Sequence, residues 1–183
     1  MTAMPVMPHE FRDWTVEDLE RIPDDGLQYE LLDGMLLVTP SPSFGHQWAS
    51  GRLFLLLSAG CPAGMKVLFA PLDWQPDLLT SLQPDLLVVR DQDVGVNNIT
   101  RPLVLAVEIL SPSTRRKDLF LKRSKYQDAR VENYWIVDPL VPSITALSLV
   151  GNSYQSVGEA TGDQTVTLEK PFPITIVPSS LVG

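Results

Sequence analysis

The sequence contains one cysteine, Cys61, and two histidines, His9 and His46, among its 183 residues. A lone cysteine excludes an internal disulfide and a cysteine-built zinc cage, and two histidines leave little for a histidine-rich metal site. Any metal must therefore be held mainly by carboxylates. Long apolar runs are also missing: none approaches the roughly 20 residues that a membrane-spanning helix needs. The opening segment, MTAMPVMPHEFRDW, has neither a basic start nor a long apolar stretch. The expectation is a soluble, cytoplasmic protein. No serine, histidine and aspartate arrangement, glycine-rich phosphate loop or paired-cysteine motif points to a hydrolase triad, nucleotide binding or redox chemistry. No internal repeat, low-complexity segment or long linker divides the chain.

What is present suits a globular protein. Hydrophobic residues make up 44% and charged residues 20% of 20.3 kDa, so residues 1–183 are expected to form one domain with a sizeable core. The formal net charge of -8 argues at first sight against a nucleic-acid partner. The charges are segregated, however. Residues 1–33 hold nine carboxylates against Arg12 and Arg21, whereas Arg115, Arg116, Lys117, Lys122, Arg123, Lys125 and Arg130 face only Asp118 and Asp128 in one short segment. A basic cluster of this kind can be a solvated helix face or a contact for an anionic partner.

Thr15 and Asp18 form a capping-box pattern ahead of a short acidic helix, ended by Pro23 through Gly26. QYELLDGMLLVT places a strand on each side of Asp33-Gly34, a dipeptide suited to a tight hairpin turn. A helix is expected from about Phe44 to Ser58, with Trp48, Leu53, Leu55 and Leu56 as its apolar stripe. The apolar runs MKVLFAPLDW, PDLLVV and PLVLAVEIL follow as strands, and their near-continuous hydrophobicity implies burial on both sheet faces. A helix from about Arg116 to Asp128 leads to the strand NYWIVDP, where Tyr134 and Trp135 read as core aromatics. Next come a hairpin turning at Gly151-Asn152, a closing hairpin and an extended tail marked by Pro171, Pro173 and Pro178.

Two carboxylates stand where packing alone would not put them. In the third apolar strand, Ala106, Glu108 and Leu110 point one way while Val107 and Ile109 point the other, so Glu108 has apolar neighbours. Asp85, at the start of PDLLVV, poses the same problem. A buried carboxylate must be paired, hydrogen-bonded or bound to a metal. Asp85 and Glu108 on adjacent strands, with a backbone carbonyl such as that of Ile109, make an oxygen-rich site for one or two magnesium or manganese ions; alternatively each caps a loop or pairs with an arginine. Asp118, Lys122 and Tyr126 share a helix face at i, i+4 and i+8, which can bring the Lys122 ammonium to the carboxylates or leave it bridged to Asp118. An ammonium beside an activated water is what phosphodiester hydrolysis requires. Ser111, Ser113 and Thr114 cap the basic helix or offer amides to a phosphate.

The run QPDLLVV, VEILSPSTRRKD, Lys122, Tyr126 and VENYWIVDP, with YELLDG and SPSFGHQ upstream, resembles the Uma-two family, bacterial proteins classed with the endonucleases, over about residues 12–150. That family is similar to the PD-(D/E)XK nuclease superfamily. The resemblance implies an α/β (α+β) fold with a restriction-endonuclease-like core, a central mixed sheet flanked by helices, here with added N-terminal and C-terminal hairpins. It implies Asp85 as the aspartate of the PD motif and Glu108 as the second acidic residue. The superfamily lysine two positions after Glu108 is replaced by Leu110, and in the family it comes from the following helix, here as Lys122. Glu30 matches an upstream carboxylate that serves as a metal ligand or orients one, or else is a hairpin residue paired with an arginine. His46 and Gln47 match positions that approach a phosphate, unless His46 is a cap. The implied activity is metal-dependent cleavage of DNA, with Arg115, Arg116, Lys117, Arg123 and Lys125 meeting the backbone. Many proteins of this fold are homodimers, and the basic helix is a candidate dimer surface. The alternative is a nuclease-fold module that binds nucleic acid or protein without cutting.

Overall fold

The computed structural model describes residues 12–23, 25–39, 41–112 and 117–183, the side chains of residues 117–119 excepted. The acidic segment forms α1 (Val16–Leu19), closed by a reciprocal capping box between Thr15 and Asp18. β1 (Gln28–Leu32) and β2 (Met35–Thr39) pair in register across Asp33 and Gly34, whose φ of 49° and 80° meet the demand of the tight turn.

α2 (Phe44–Gly60) starts at Ser43, whose hydroxyl accepts from the His46 N–H. Its buried positions are Ala49, Leu53 and Leu57, while Trp48, Leu55 and Leu56 are exposed. Of the expected stripe only Leu53 faces inward. The buried line follows the i, i+4, i+8 row through small Ala49, which lets the helix approach the sheet.

The segment expected as one long strand divides. β3 (Met65–Phe69) ends before Pro71, and β4 (Trp74–Asp77) turns back onto β5 (Thr80–Leu82) in a different sheet. There follow β6 (Leu86–Arg90), β7 (Leu105–Ile109), a π-helical segment (Lys117–Lys122) running into α3 (Arg123–Asp128), and β8 (Asn133–Asp138). β9 (Ser143–Val150), β10 (Ser153–Thr161), β11 (Val166–Leu168) and β12 (Ile174–Ile176) complete the strands.

The main sheet has the order β10-β9-β8-β7-β6-β3 and is antiparallel except for the β7–β8 pair. A parallel pair needs a crossover, and the π-helix and α3 supply it. A second sheet, β2-β1-β5-β4, carries the N-terminal hairpin, and β11-β12 form a small C-terminal ribbon. One apolar cluster lies on the α2 side, with Val107, Ile109 and Trp135; the other holds Trp74, Ala106, Tyr126 and Tyr134. β7 and β8 are buried along their whole lengths, as strands covered on both faces should be. This is a mixed α/β fold built on a large mixed sheet. No described helix is long and apolar enough to cross a membrane.

At Gly158 the bulged β10 passes under the ribbon: a Cβ there would lie 2.5 Å from Leu168 Cδ2 and 2.9 Å from Val166 Cγ2. Both side chains are buried and the valine is stiff. Gly158→Ala should therefore cost about 1–3 kcal/mol, read as a lower urea midpoint; an unchanged midpoint would show that the ribbon yields freely.

Candidate active site

Four chain segments deliver charge to one cleft of about 260 Å³. Glu30 comes from the middle of β1, Asp85 from the residue before β6, and Glu108 from the fully buried β7. Lys122 closes the group from the last turn of the π-helix. A π turn carries one extra residue per hydrogen-bonded loop and is frequent at functional positions; here it ends where the ammonium enters the cleft.

Lys122 Nζ lies 2.9 Å from Glu30 Oε1 and 3.1 Å from Glu108 Oε1. All three side chains are nine-tenths buried or more, where an uncompensated charge would be prohibitive. Further donors hold the carboxylates. The Tyr126 hydroxyl donates to Glu108 Oε1 at 2.6 Å, and the Gln83 N–H donates to Glu30 Oε1 at 2.8 Å. Burial first, and then the Glu108 charge, push the Tyr126 phenol well above its ordinary value, so it stays protonated and remains a donor. Asp85 Oδ2 accepts from the Ile109 N–H at 2.6 Å, while Asp85 Oδ1 lies 3.2 Å from His46 Nε2 in the first turn of α2.

Glu30, His46, Asp85, Glu108 and Lys122 therefore all line this cleft. Of the other proposed DNA contacts, Arg123 and Lys125 do not. Arg123 is exposed and lines a separate depression with Asp138 and Glu159. Lys125 donates to Asp33 Oδ1 at 2.6 Å and to Asp77 Oδ2 at 2.7 Å, tying α3 to the turns of both hairpins, and its side chain is largely buried. Arg115 and Arg116, with Ser113 and Thr114, lie outside the described residues, as do the side chains of Lys117 and Asp118. The i+4 spacing puts Tyr126 on the Lys122 face in sequence, but its bond to Glu108 shows only in the fold; nothing local marks Gln83, whose backbone N–H holds Glu30.

The Lys125 tie has a readable pH dependence. Burial works against the charged lysine, but the bonds to Asp33 and Asp77 outweigh it and raise its pKa. Burial likewise opposes ionisation of Asp77, and hydrogen bonds from Lys125, Thr80 and the Leu79 N–H, with the lysine's charge, outweigh it and lower its pKa. The lysine's contribution is complete below its unfolded value, about 10.4, and fades as pH rises through its elevated folded value; that of Asp77 is complete above about 3.9 and fades as pH falls through its depressed folded value. Lys125→Met should lower the melting temperature at neutral pH, with the gap to wild type closing at both extremes. A gap constant across pH would mean that the methylenes, not the charge, matter.

Among the described residues no three His, Cys, Asp or Glu side chains gather closely enough to enclose an ion. The donor chemistry nevertheless fits a hard divalent cation. Three carboxylates share the cleft with one lysine, leaving negative charge in excess, and Gln83 Oε1, also at its wall, is a buried oxygen with no hydrogen-bond partner. Asp85 and Glu108, with Glu30 beside them, would hold such an ion.

The sequence profile of the Uma2 family, described as "Putative restriction endonuclease", matches residues 16–179. The chain belongs to the Uma2 family. Among solved structures, this Uma2 chain is similar to a crystal structure from Anabaena variabilis described as "a putative nuclease belonging to DUF820". The TM-score is 0.73 at 15% identity, covering 91% of this chain and 96% of the other. At that identity the likeness speaks to the fold alone. No curated protein matches the Uma2 chain.

Proposed function

We propose that this Uma2 protein is an endonuclease that hydrolyses DNA phosphodiester bonds at the cleft formed by Asp85, Glu108 and Lys122, with magnesium or manganese. The observation that carries the reading is the delivery of one ammonium and three carboxylates from separate segments to one cavity wall, with Lys122 2.9–3.1 Å from Glu30 and Glu108. Replacing such a group by well-packed apolar side chains is often neutral or stabilising, so stability alone does not account for it.

A divalent ion bound there supplies Lewis-acid stabilisation of charge developing on the phosphoryl oxygens and eases deprotonation of the attacking water. The chain's own residues set the stage. Asp85 is aimed by the Ile109 N–H, and Glu108 by the Tyr126 hydroxyl. Lys122 Nζ, held by Glu30, orients the water through its protons and offsets negative charge in the transition state. His46, at the start of α2, turns Nε2 to Asp85 Oδ1 at 3.2 Å and braces that carboxylate at the cleft wall.

One observation favours the non-cutting alternative: the Lys122 ammonium bridges Glu30 and Glu108 in the manner of a structural ion pair. Supercoiled plasmid incubated with magnesium, manganese or EDTA separates the readings. Metal-dependent nicking abolished by EDTA supports the endonuclease; a folded protein that binds plasmid and leaves it intact in both metals supports the binding module.

A further inference from the structure

Next to the carboxylate cleft, and sharing His46, Gln47, Ala70 and Asp85 with it, opens a second cavity of about 300 Å³. Its character is different. Phe54 from α2, Phe69 from the end of β3 and Leu86 from the start of β6 make it mostly apolar, and no lysine or arginine is among its described lining residues. The two phenylalanines meet edge to face, with centroids 5.1 Å apart at 83°. Phe69 is still 59% exposed, because β3 is an edge strand with β6 on one side only. Along α2 the cavity is bordered by Gly51, where an added Cβ would meet nothing within 4 Å.

A nucleotide has a charged end and a flat apolar end joined by a sugar. A carboxylate cleft continuous, at Asp85, with an aromatic-walled and mostly apolar cavity matches both ends at once. A base in an intact duplex cannot enter, since both its faces are stacked; it must be unpaired or turned out of the helix. We propose that the Phe54–Phe69 cavity is a nucleobase subsite that seats an unstacked base adjoining the scissile phosphate, so that the preferred substrate is single-stranded or locally unpaired DNA. The inference rests on the phosphodiesterase reading for what happens at the neighbouring cleft. Stacking on an aromatic ring is tolerant of sequence, so the subsite selects strandedness and not a particular base.

The test uses Gly51→Leu, which fills the cavity, and Phe69→Ala, which removes its exposed wall. Leucine is a better helix former than glycine and the position has open space, so the first variant keeps its fold. Binding of a fluorescein-labelled oligothymidylate and of its duplex with oligodeoxyadenylate is followed by anisotropy in EDTA, and single-turnover cleavage of the same two substrates is followed in magnesium and in manganese. The expected result is tighter binding of the single strand by wild type, weakened about tenfold in each variant, with duplex binding unchanged. Equal affinity for both forms, or single-strand binding indifferent to Gly51→Leu and Phe69→Ala, overturns the subsite even if cleavage proceeds. Single-strand preference that both variants abolish, with no cleavage in any metal, sustains the subsite and removes the nuclease reading.

Discussion

Lys122→Met is expected to abolish plasmid nicking and to lower the melting temperature by about 10 °C. The stability loss follows from burial: the lysine is 4% exposed and is the ammonium shared by Glu30 and Glu108. Removing it strands two buried carboxylates, a change that typically costs 3–5 kcal/mol, with each kilocalorie worth about 2–4 °C in a chain of this size. Loss of activity in an unstable variant proves little, so the informative protein is the double variant Lys122→Met with Glu30→Gln. The amide still accepts from the Gln83 N–H but removes one of the stranded charges. Stability should recover by several degrees while nicking stays absent. If nicking returned along with stability, Lys122 would be a structural counterion and the proposed water-orienting role would fall.

This dual character explains which parts of the molecule could be read from its sequence. Asp33-Gly34 demands positive φ twice and announces its hairpin locally; the alternation through Ala106, Glu108 and Leu110 announces an inward carboxylate on β7. Both are properties of a few adjacent residues. The α2 stripe misled because three of its four large side chains, Trp48, Leu55 and Leu56, point outward, and the small Ala49 marks the true contact line. The break after Phe69 was hidden because MKVLFAPLDW is apolar at all but Lys66 and Asp73, and only the pairing of β4 with β5 shows that two sheets share it. Lys125 is the clearest case of tertiary override. Counted along the chain it belongs to a basic patch awaiting an anion, yet Asp33 and Asp77, 92 and 48 residues away, already occupy it. Part of the acidic N-terminal segment thus neutralises part of the basic helix, and the charge segregation seen in sequence does not carry over whole into a segregated surface.

The other large effect is expected at the metal donors. Asp85→Asn keeps an oxygen to accept from the Ile109 N–H, and Glu108→Gln keeps one for Tyr126, so both variants should fold; each removes a full negative charge from the cleft. Nicking should fall about a hundredfold or more in each, the scale associated with losing a preorganised electrostatic contact in a transition state. A second readout is independent of turnover. A ligand that binds only the folded chain stabilises it by about 2.7 kcal/mol at one hundred times its dissociation constant, so saturating manganese should raise the melting temperature of wild type. Asp85→Asn and Glu108→Gln should lose that shift while melting close to wild type in EDTA. Retention of the full shift in both variants would place any bound ion elsewhere in the molecule. If wild type showed neither a shift nor nicking, the carboxylates and Lys122 would be a closed ion pair network, and the fold would be serving to bind and not to cut.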